Sequence, residues 1–228
     1  MYRCTYCLPQ LCNIYLGYTL LHRYSFNDGT ASDSVGGSAY AGSLMAGATV
    51  TNNQATFATS GQYVNLPSGL FGSYAAVSVE AWVTTGFNTG NARIFQFGVG
   101  SGTSNNNCVG VSRFTVTGSY RIWWVDANND ISAETTQVLF DSKTNVHVVL
   151  TVSAGDFARL YINSVLVGST PAVVDPLPPP SFFYIGMGSS SPLIGSVNEF
   201  RIWGGALSAT DIATRYSQGP GDTRNEPF

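Results

Sequence analysis

The side chains of this 228-residue sequence best suited to chemistry are four glutamates (Glu80, Glu134, Glu199, Glu226), two histidines and four cysteines. Carboxylate-driven glycoside hydrolysis needs two acids held about 5–10 Å apart, one as acid and one as base or nucleophile. A single strand carrying both is the simplest supply. With Asp126–Asp130 read as a turn, no glutamate has a second carboxylate two to five residues away on its own strand. Only a pair assembled from distant strands would then serve. Ser-His-Asp chemistry has less support, because His22 and His147 both lie in apolar strand patterns and no nucleophile-elbow motif is present. A cysteine nucleophile needs a low-pKa thiol beside histidine, whereas the cysteines here cluster as if paired. No glycine-rich phosphate loop stands between a strand and a helix. The expectation is a protein that is not an enzyme.

Binding chemistry is better represented. Sugar recognition wants an aromatic surface for the ring and amides or carboxylates for the hydroxyls. Tyr120, Trp123 and Trp124 lead into Asp126, Asn128 and Asn129. Neighbouring strand residues face opposite ways, so the two tryptophans cannot both be core. Tyr120, Trp124, Asp126 and Asn128 are the candidate ligand-binding residues. Asp28 and Asp33, in a loop of glycine and oxygen-bearing side chains, are the candidate metal ligands. Two carboxylates with loop carbonyls begin the six-to-eight-oxygen shell that calcium takes; the alternative is a metal-free loop of Asx turns. Cys4, Cys7 and Cys12 crowd the start and Cys108 stands far off. With His22 they suggest zinc, but the usual second ligand pair is missing. Disulfides in an oxidising compartment are expected instead, with the pairing open.

The elements that must position these residues are mostly strands. Val77, Val79, Ala81 and Val83 alternate with Glu80 and Trp82, and Val146, Val148, Leu150 and Val152 alternate with His147, Val149 and Thr151. His22 shares a face with Tyr24 and Phe26 and reads as a hydrogen-bonded core residue. Asn163-Ser164 turns a hairpin. Serine costs on the order of 1 kcal/mol at the positive φ a type I′ turn requires, which leaves room for another turn type. The proline-rich run 176–180 reads as a crossing loop. In the stretch 195–219, Phe200 and Ile202 alternate with Glu199, Arg201 and Trp203, a glycine pair follows, and a helix begins. Ser208 and Asp211 form its capping box, Gly219-Pro220 ends it, and Ala206, Leu207, Ile212, Ala213 and Tyr216 are its expected buried stripe. About a dozen short strands predict an all-β fold, a two-sheet antiparallel β-sandwich with one short C-terminal helix.

This closing stretch resembles the C-terminal signature of the laminin-G/concanavalin A-like superfamily, a jelly-roll sandwich. The segments 21–30 with 33–37, 61–67, 77–83 and 159–163 are similar to its other landmarks, in order. The resemblance implies that Glu80 and Glu199 are structural, with Glu199 bonding Arg201 or closing a loop. It also implies that the loop carrying Asp28 and Asp33 holds a structural calcium in relatives. Lectins, glycosidases, adhesion modules and spacers share the fold, so it does not by itself decide function.

The expected organisation is a cysteine-containing arm (1–17), a sandwich (18–220) and a tail (221–228). Charged residues make up only 10% of the chain and Lys143 is its single lysine. Such composition suits a secreted or cell-surface module. No basic cluster offers a footing for nucleic acid, and no run of about 18 apolar residues would span a membrane. No Asn-x-Ser/Thr sequon occurs. The expected role is a carbohydrate-binding or adhesion module with glycans or extracellular proteins as partners. The alternative is a structural subunit that self-associates into a filament or surface assembly through the arm and sheet faces.

Overall fold

The computed structural model describes residues 17–86, 91–99, 108–114, 120–125, 130–134, 144–171, 180–187 and 193–223. Its strands are β1 (Thr19–Tyr24), β2 (Ser43–Met45), β3 (Thr49–Thr51), β4 (Gln54–Phe57), β5 (Tyr63–Leu66), β6 (Ala76–Thr85), β7 (Asn91–Gly98), β8 (Cys108–Phe114), β9 (Tyr120–Val125), β10 (Asp130–Glu134), β11 (Val146–Ser153), β12 (Phe157–Ile162), β13 (Val165–Pro171), β14 (Phe182–Ile185) and β15 (Gly195–Gly204). One helix, α1 (Ala209–Gln218), follows β15.

The strands form two antiparallel sheets. The eight-stranded sheet runs β13-β12-β11-β6-β15-β4-β3, and the seven-stranded sheet runs β10-β9-β8-β7-β14-β5-β2. β15 is the hinge of the larger sheet. One of its edges lies along β6 throughout, and the other is shared, with β4 beside Gly195–Val197 and β1 beside Phe200–Gly204. Period-2 patterning puts Val79, Val148, Leu150, Phe200 and Ile202 on the inner face of one sheet, against Phe95, Phe97, Val111 and Phe183 of the other. Phe183 joins the layers, its ring 5.0 Å from Phe97 and 5.6 Å from Phe200. The two-sheet sandwich with a single short helix is the architecture the patterning predicted.

Four local expectations can be compared with the structure. The capping box at α1 is present in both directions: Ser208 Oγ accepts from the Asp211 amide, and the Asp211 carboxylate accepts from Ser208. The expected helix stripe is corrected, because Ala206, Ala213 and Tyr216 are exposed while Arg215 is buried beside Ile212 and Leu207. Arg215 lays its guanidinium 3.6 Å from the Trp203 ring centroid, so a cation over an aromatic face takes the place of an apolar contact. In the 163–164 turn both central residues have positive φ, 47° at Asn163 and 68° at Ser164, so serine does adopt the type I′ signature. Finally, Asp130 belongs to β10 and not to a turn, so it shares a strand with Glu134. Extended geometry puts their Cα atoms about 13 Å apart, at opposite ends of that strand.

Candidate functional site

The two outer faces of the sandwich are built differently, and the contrast singles out a candidate site. On the eight-stranded sheet, α1 and the chain around Tyr18 cover the face. Glu80 is fully buried there and accepts hydrogen bonds from His147 Nε2 at 3.0 Å, Trp203 Nε1 at 3.0 Å and Arg201 Nη1 at 3.4 Å. Burial opposes its ionisation, but the His147 bond and the charges of Arg201, His147 and Arg215 outweigh that and hold its carboxyl down at about 2. Glu199 takes Arg23 in a two-pronged pair, at 2.7 and 3.1 Å, and Arg201 at 3.2 Å. Arg201 thus bridges both glutamates and donates onward to the carbonyls of Pro220 and Asp222. Tyr216 stacks on Trp82 and His147 over this network. Glu80 and Glu199 are acids close together, but they lie beneath the helix and are consumed by cations. The structural role expected of both is what the geometry shows.

The outer face of the seven-stranded sheet also carries buried polar side chains. Its key feature is a bulge in β7: the register shifts between Arg93 and Phe95. Ile94 and Phe95 both enter the core, so Arg93 and Gln96, three residues apart, both face outward. The register then sets out cross-strand rows. Arg93, Ser112 and Arg121 form one, with Glu134 beyond Arg121. Tyr184, Gln96, Gly110 and position 123 form the next, and Cys108 pairs with Gly98, which pairs with Phe182, in a third. Gly110 permits the close approach of β7: a Cβ there would stand 2.6 Å from the Phe95 carbonyl oxygen and 3.3–3.4 Å from Gln96.

Within these rows Gln96 has no exposed surface, yet neither Nε2 nor Oε1 has a hydrogen-bond partner; the Ser112 hydroxyl, 1% exposed, also has none. Burial pulls Arg93 down to about 10; Cys108 opposes this and the like charge of Arg121 adds to it. Tyr184 meets Tyr63 edge to face at 5.2 Å, both half-buried. An amide that can donate and accept, a hydroxyl, guanidinium groups and tyrosine rings thus share one face. That set suits a ligand rich in hydroxyls.

The residues proposed from sequence fall elsewhere. Tyr120 points into the core, 3% exposed, and burial pushes its phenol up to about 12, with Arg113 pulling the other way. It is therefore corrected from ligand contact to core residue. By register, position 124 lies opposite Val109 of the core row, and position 123 lies opposite Gly110 of the outer row. Asp126 and Asn128 lie outside the described residues. Asp33 is buried, with Oδ2 on His22 Nδ1 at 2.6 Å and Oδ1 accepting from the amides of Arg23, Val35 and Gly36. His22 Nε2 in turn meets the Leu70 carbonyl at 3.0 Å, so His22 is the hydrogen-bonded core residue expected. Asp28 is exposed and receives Thr30 and Ser32, as an Asx-turn loop does. Asp28 and Asp33 thus bond to different partners within the fold. No group of three or more His, Cys, Asp or Glu fit for a metal occurs among the described residues. Cys4, Cys7 and Cys12 lie outside them. Cys108 is buried beside Phe182 and Tyr184, and no disulfide is seen among the described residues. The candidate residues that sequence reasoning does not reveal are Arg93, Gln96 and Ser112. Their one signal was the Arg-Ile-Phe-Gln break in alternation, which is how a bulge reads in sequence.

Comparison with known proteins agrees with this architecture. The concanavalin A-like lectin/glucanases superfamily matches residues 58–213, and the chain belongs to it. Domain 4 of AbnA, a GH43 extracellular arabinanase from Geobacillus stearothermophilus solved with arabinotriose, superposes with a TM-score of 0.66 at 20% identity, covering 87% of this chain and 98% of that one. A Trypanosoma rangeli sialidase with 2,3-difluorosialic acid gives 0.66 at 19% identity over 87% of this chain and 33% of the sialidase. A chain of botulinum neurotoxin type C, whose cell entry is described as dependent on two ganglioside molecules, gives 0.67 at 12% identity over 88% of this chain and 51% of that one. This chain therefore spans about a third of the sialidase and half of the neurotoxin chain. At these identities the likeness is one of fold. No curated protein sequence matches the chain. No helix among the described residues is long and apolar enough to cross a membrane.

Proposed function

We propose that this chain is a non-catalytic carbohydrate-binding module that holds a saccharide on the outer face of its seven-stranded sheet, working outside the cell in binding or adhesion. The observation that carries this reading is the Gln96 amide, fully buried with both polar ends unbonded, beside the Ser112 hydroxyl in the same condition. Each such group costs about 1–3 kcal/mol while unsatisfied, and folds keep few of them without a use. Sugar hydroxyls supply the missing donors and acceptors, while the Tyr63 and Tyr184 rings offer apolar edges to a sugar. The non-catalytic half of the reading is supported by Glu80 and Glu199, whose carboxylates are spent on Arg23, Arg201, His147 and Trp203. The arabinotriose in the arabinanase domain supports a glycan ligand, and the extracellular setting of that enzyme supports the location.

Titration calorimetry of the full chain against neutral and acidic oligosaccharides tests this. Binding is expected, at least fivefold weaker in Gln96→Ala. No heat from any saccharide at millimolar concentration overturns it. The second reading, a self-associating structural subunit, has one observation in its favour: edge strand β13 exposes Val165 and Leu166, and Phe157 is exposed on β12 beside it. Sizing of the wild type and Leu166→Lys decides it, since a monomer in both cases ends that reading.

A further inference from the structure

We infer that the part of the saccharide read by this face is a pair of hydroxyls on adjacent ring carbons, one donating to Gln96 Oε1 and the other accepting from Gln96 Nε2; the inference rests on the carbohydrate-binding reading above. Gln96 has no exposed surface, and neither end of its amide is bonded within the fold. A primary amide sets a donor beside an acceptor, so its missing partner must set an acceptor beside a donor. Toward β8 the residue opposite Gln96 is Gly110, which brings no side chain to that flank. A Cβ on Gly110 would stand 3.3 Å from Gln96 Cα and 3.4 Å from Gln96 Cβ. Ser112, two residues further along β8, is the diagonal neighbour of Gln96, about 7–8 Å away. Its hydroxyl is also buried and unbonded, so the two side chains flank the glycine without bonding each other. On the other side Tyr184 faces Gln96 in register and is half-buried.

The two ends of the amide select among ligand groups. A carboxylate only accepts and an ammonium only donates, so each meets one end and leaves the other orphaned. A secondary amide, such as an acetamido substituent, carries its N–H and C=O on opposite sides of a planar trans bond, so it too reaches one end at a time. A hydroxyl both donates and accepts. Two hydroxyls on adjacent carbons stand side by side when staggered gauche, and such a pair satisfies both ends of the amide whichever way round the amide lies. The Ser112 hydroxyl, which also donates and accepts, takes a further oxygen of the sugar from across Gly110. The Tyr184 ring borders the apolar face of the sugar.

Calorimetric titration of the full chain uses the methyl glycosides of glucose, galactose, mannose and xylose, each with its 2-, 3- and 4-deoxy analogues. For a glycoside that binds, removing either of two adjacent hydroxyls is expected to cost at least tenfold in affinity, because each removal leaves one end of a buried amide unpaired. Gln96→Met removes the amide at nearly constant volume. It is expected to melt no lower than the wild type, to bind the parent glycoside at least tenfold more weakly, and to bind those two analogues as it binds the parent. Ser112→Ala is expected to weaken the parent severalfold and to keep the losses at the adjacent pair. Losses at a single position, or at two that are not neighbours, overturn the inference and leave the carbohydrate reading standing. Losses that persist in Gln96→Met also overturn it. Absence of binding by every saccharide, oligosaccharides included, overturns the reading beneath it.

Discussion

Replacing Gln96 with methionine separates a binding role from a structural one, because the two predict opposite signs. Methionine matches glutamine closely in length and flexibility, and fills the same space without polar ends. If the amide serves the fold, losing it destabilises. If both its ends are orphaned, as Nε2 and Oε1 are here, the substitution removes a standing penalty. One buried unsatisfied group costs about 1–3 kcal/mol, and some of that is lost to imperfect packing of the thioether, so a gain of about 1–2 kcal/mol is expected. For a domain of this size, 1 kcal/mol moves Tm by about 2–4 °C. Gln96→Met should therefore melt about 2–8 °C higher in scanning calorimetry while losing saccharide affinity in titration. A fall in Tm would refute the reasoning, since it would mean that the amide has a partner within the fold. A gain in stability with affinity intact would place the ligand elsewhere. The expected outcome, more stable and less active, is the trade found where a site carries unsatisfied groups for a ligand.

The other expectations are more local. Gly36→Ala would drive a Cβ into Asp33 Oδ2 and His22 Nδ1 and to 2.8 Å from His22 Cε1, so it should cost about 2–3 kcal/mol, against no change in Gly221→Ala, where space is open; equal melting of the two variants would dismiss the His22–Asp33 tie. Glu80 is held at about 2 from an ordinary 4.5, so its contribution of about 3 kcal/mol is complete above pH 4.5 and lost as pH falls through 2. A Tm that stays level from pH 6 to pH 2 would contradict this. Ser164→Gly relieves a positive φ of 68° and should stabilise by about 1 kcal/mol in denaturant titration. EDTA should leave Tm unchanged, because both Asp33 oxygens are occupied by protein donors; a drop reversed by calcium would restore a metal to the Asp28 loop.

Much of the fold was legible because strand patterning is a statement about which face is wet. Val77 to Val83 and Val146 to Val152 each alternate cleanly, and Ser208 with Asp211 marks the start of α1 through side-chain chemistry that operates within one turn. What stayed hidden depends on partners distant in sequence. Arg215 reads as a solvated helix residue until Trp203 is placed beneath it. Asp33 reads as a metal ligand until His22 and three amides claim its oxygens. The sequence points to a binding constellation at Tyr120 and Trp124 because aromatic and amide residues are adjacent there. Alternation along β9 instead sends Tyr120 inward, and its register aligns position 124 with core Val109. Arg93 and Gln96 are not legible as neighbours because their common face depends on an extra residue in β7, and a strict period of two sets them on opposite faces.

The two outer faces differ in a way that bears on where a ligand would be held. Both carry charged residues in the middle of a sheet, where burying a charge is costly unless it is paired. On the eight-stranded sheet the cost is met internally: Glu80 with His147, Trp203 and Arg201; Glu199 with Arg23 and Arg201; and the carbonyls at 220 and 222 with Arg201 again. Removing one member there strands its partners, at about 3–5 kcal/mol, so that face reads as a clasp for α1. On the seven-stranded sheet Gln96 and Ser112, neutral but equally buried, have no hydrogen-bond partner among the described residues. Trp82 Nε1, His147 Nδ1 and Arg215 Nε on the eight-stranded side also lack partners, so what sets the second face apart is the Gln96 amide, orphaned at both ends, and that appears only once the strands are in register.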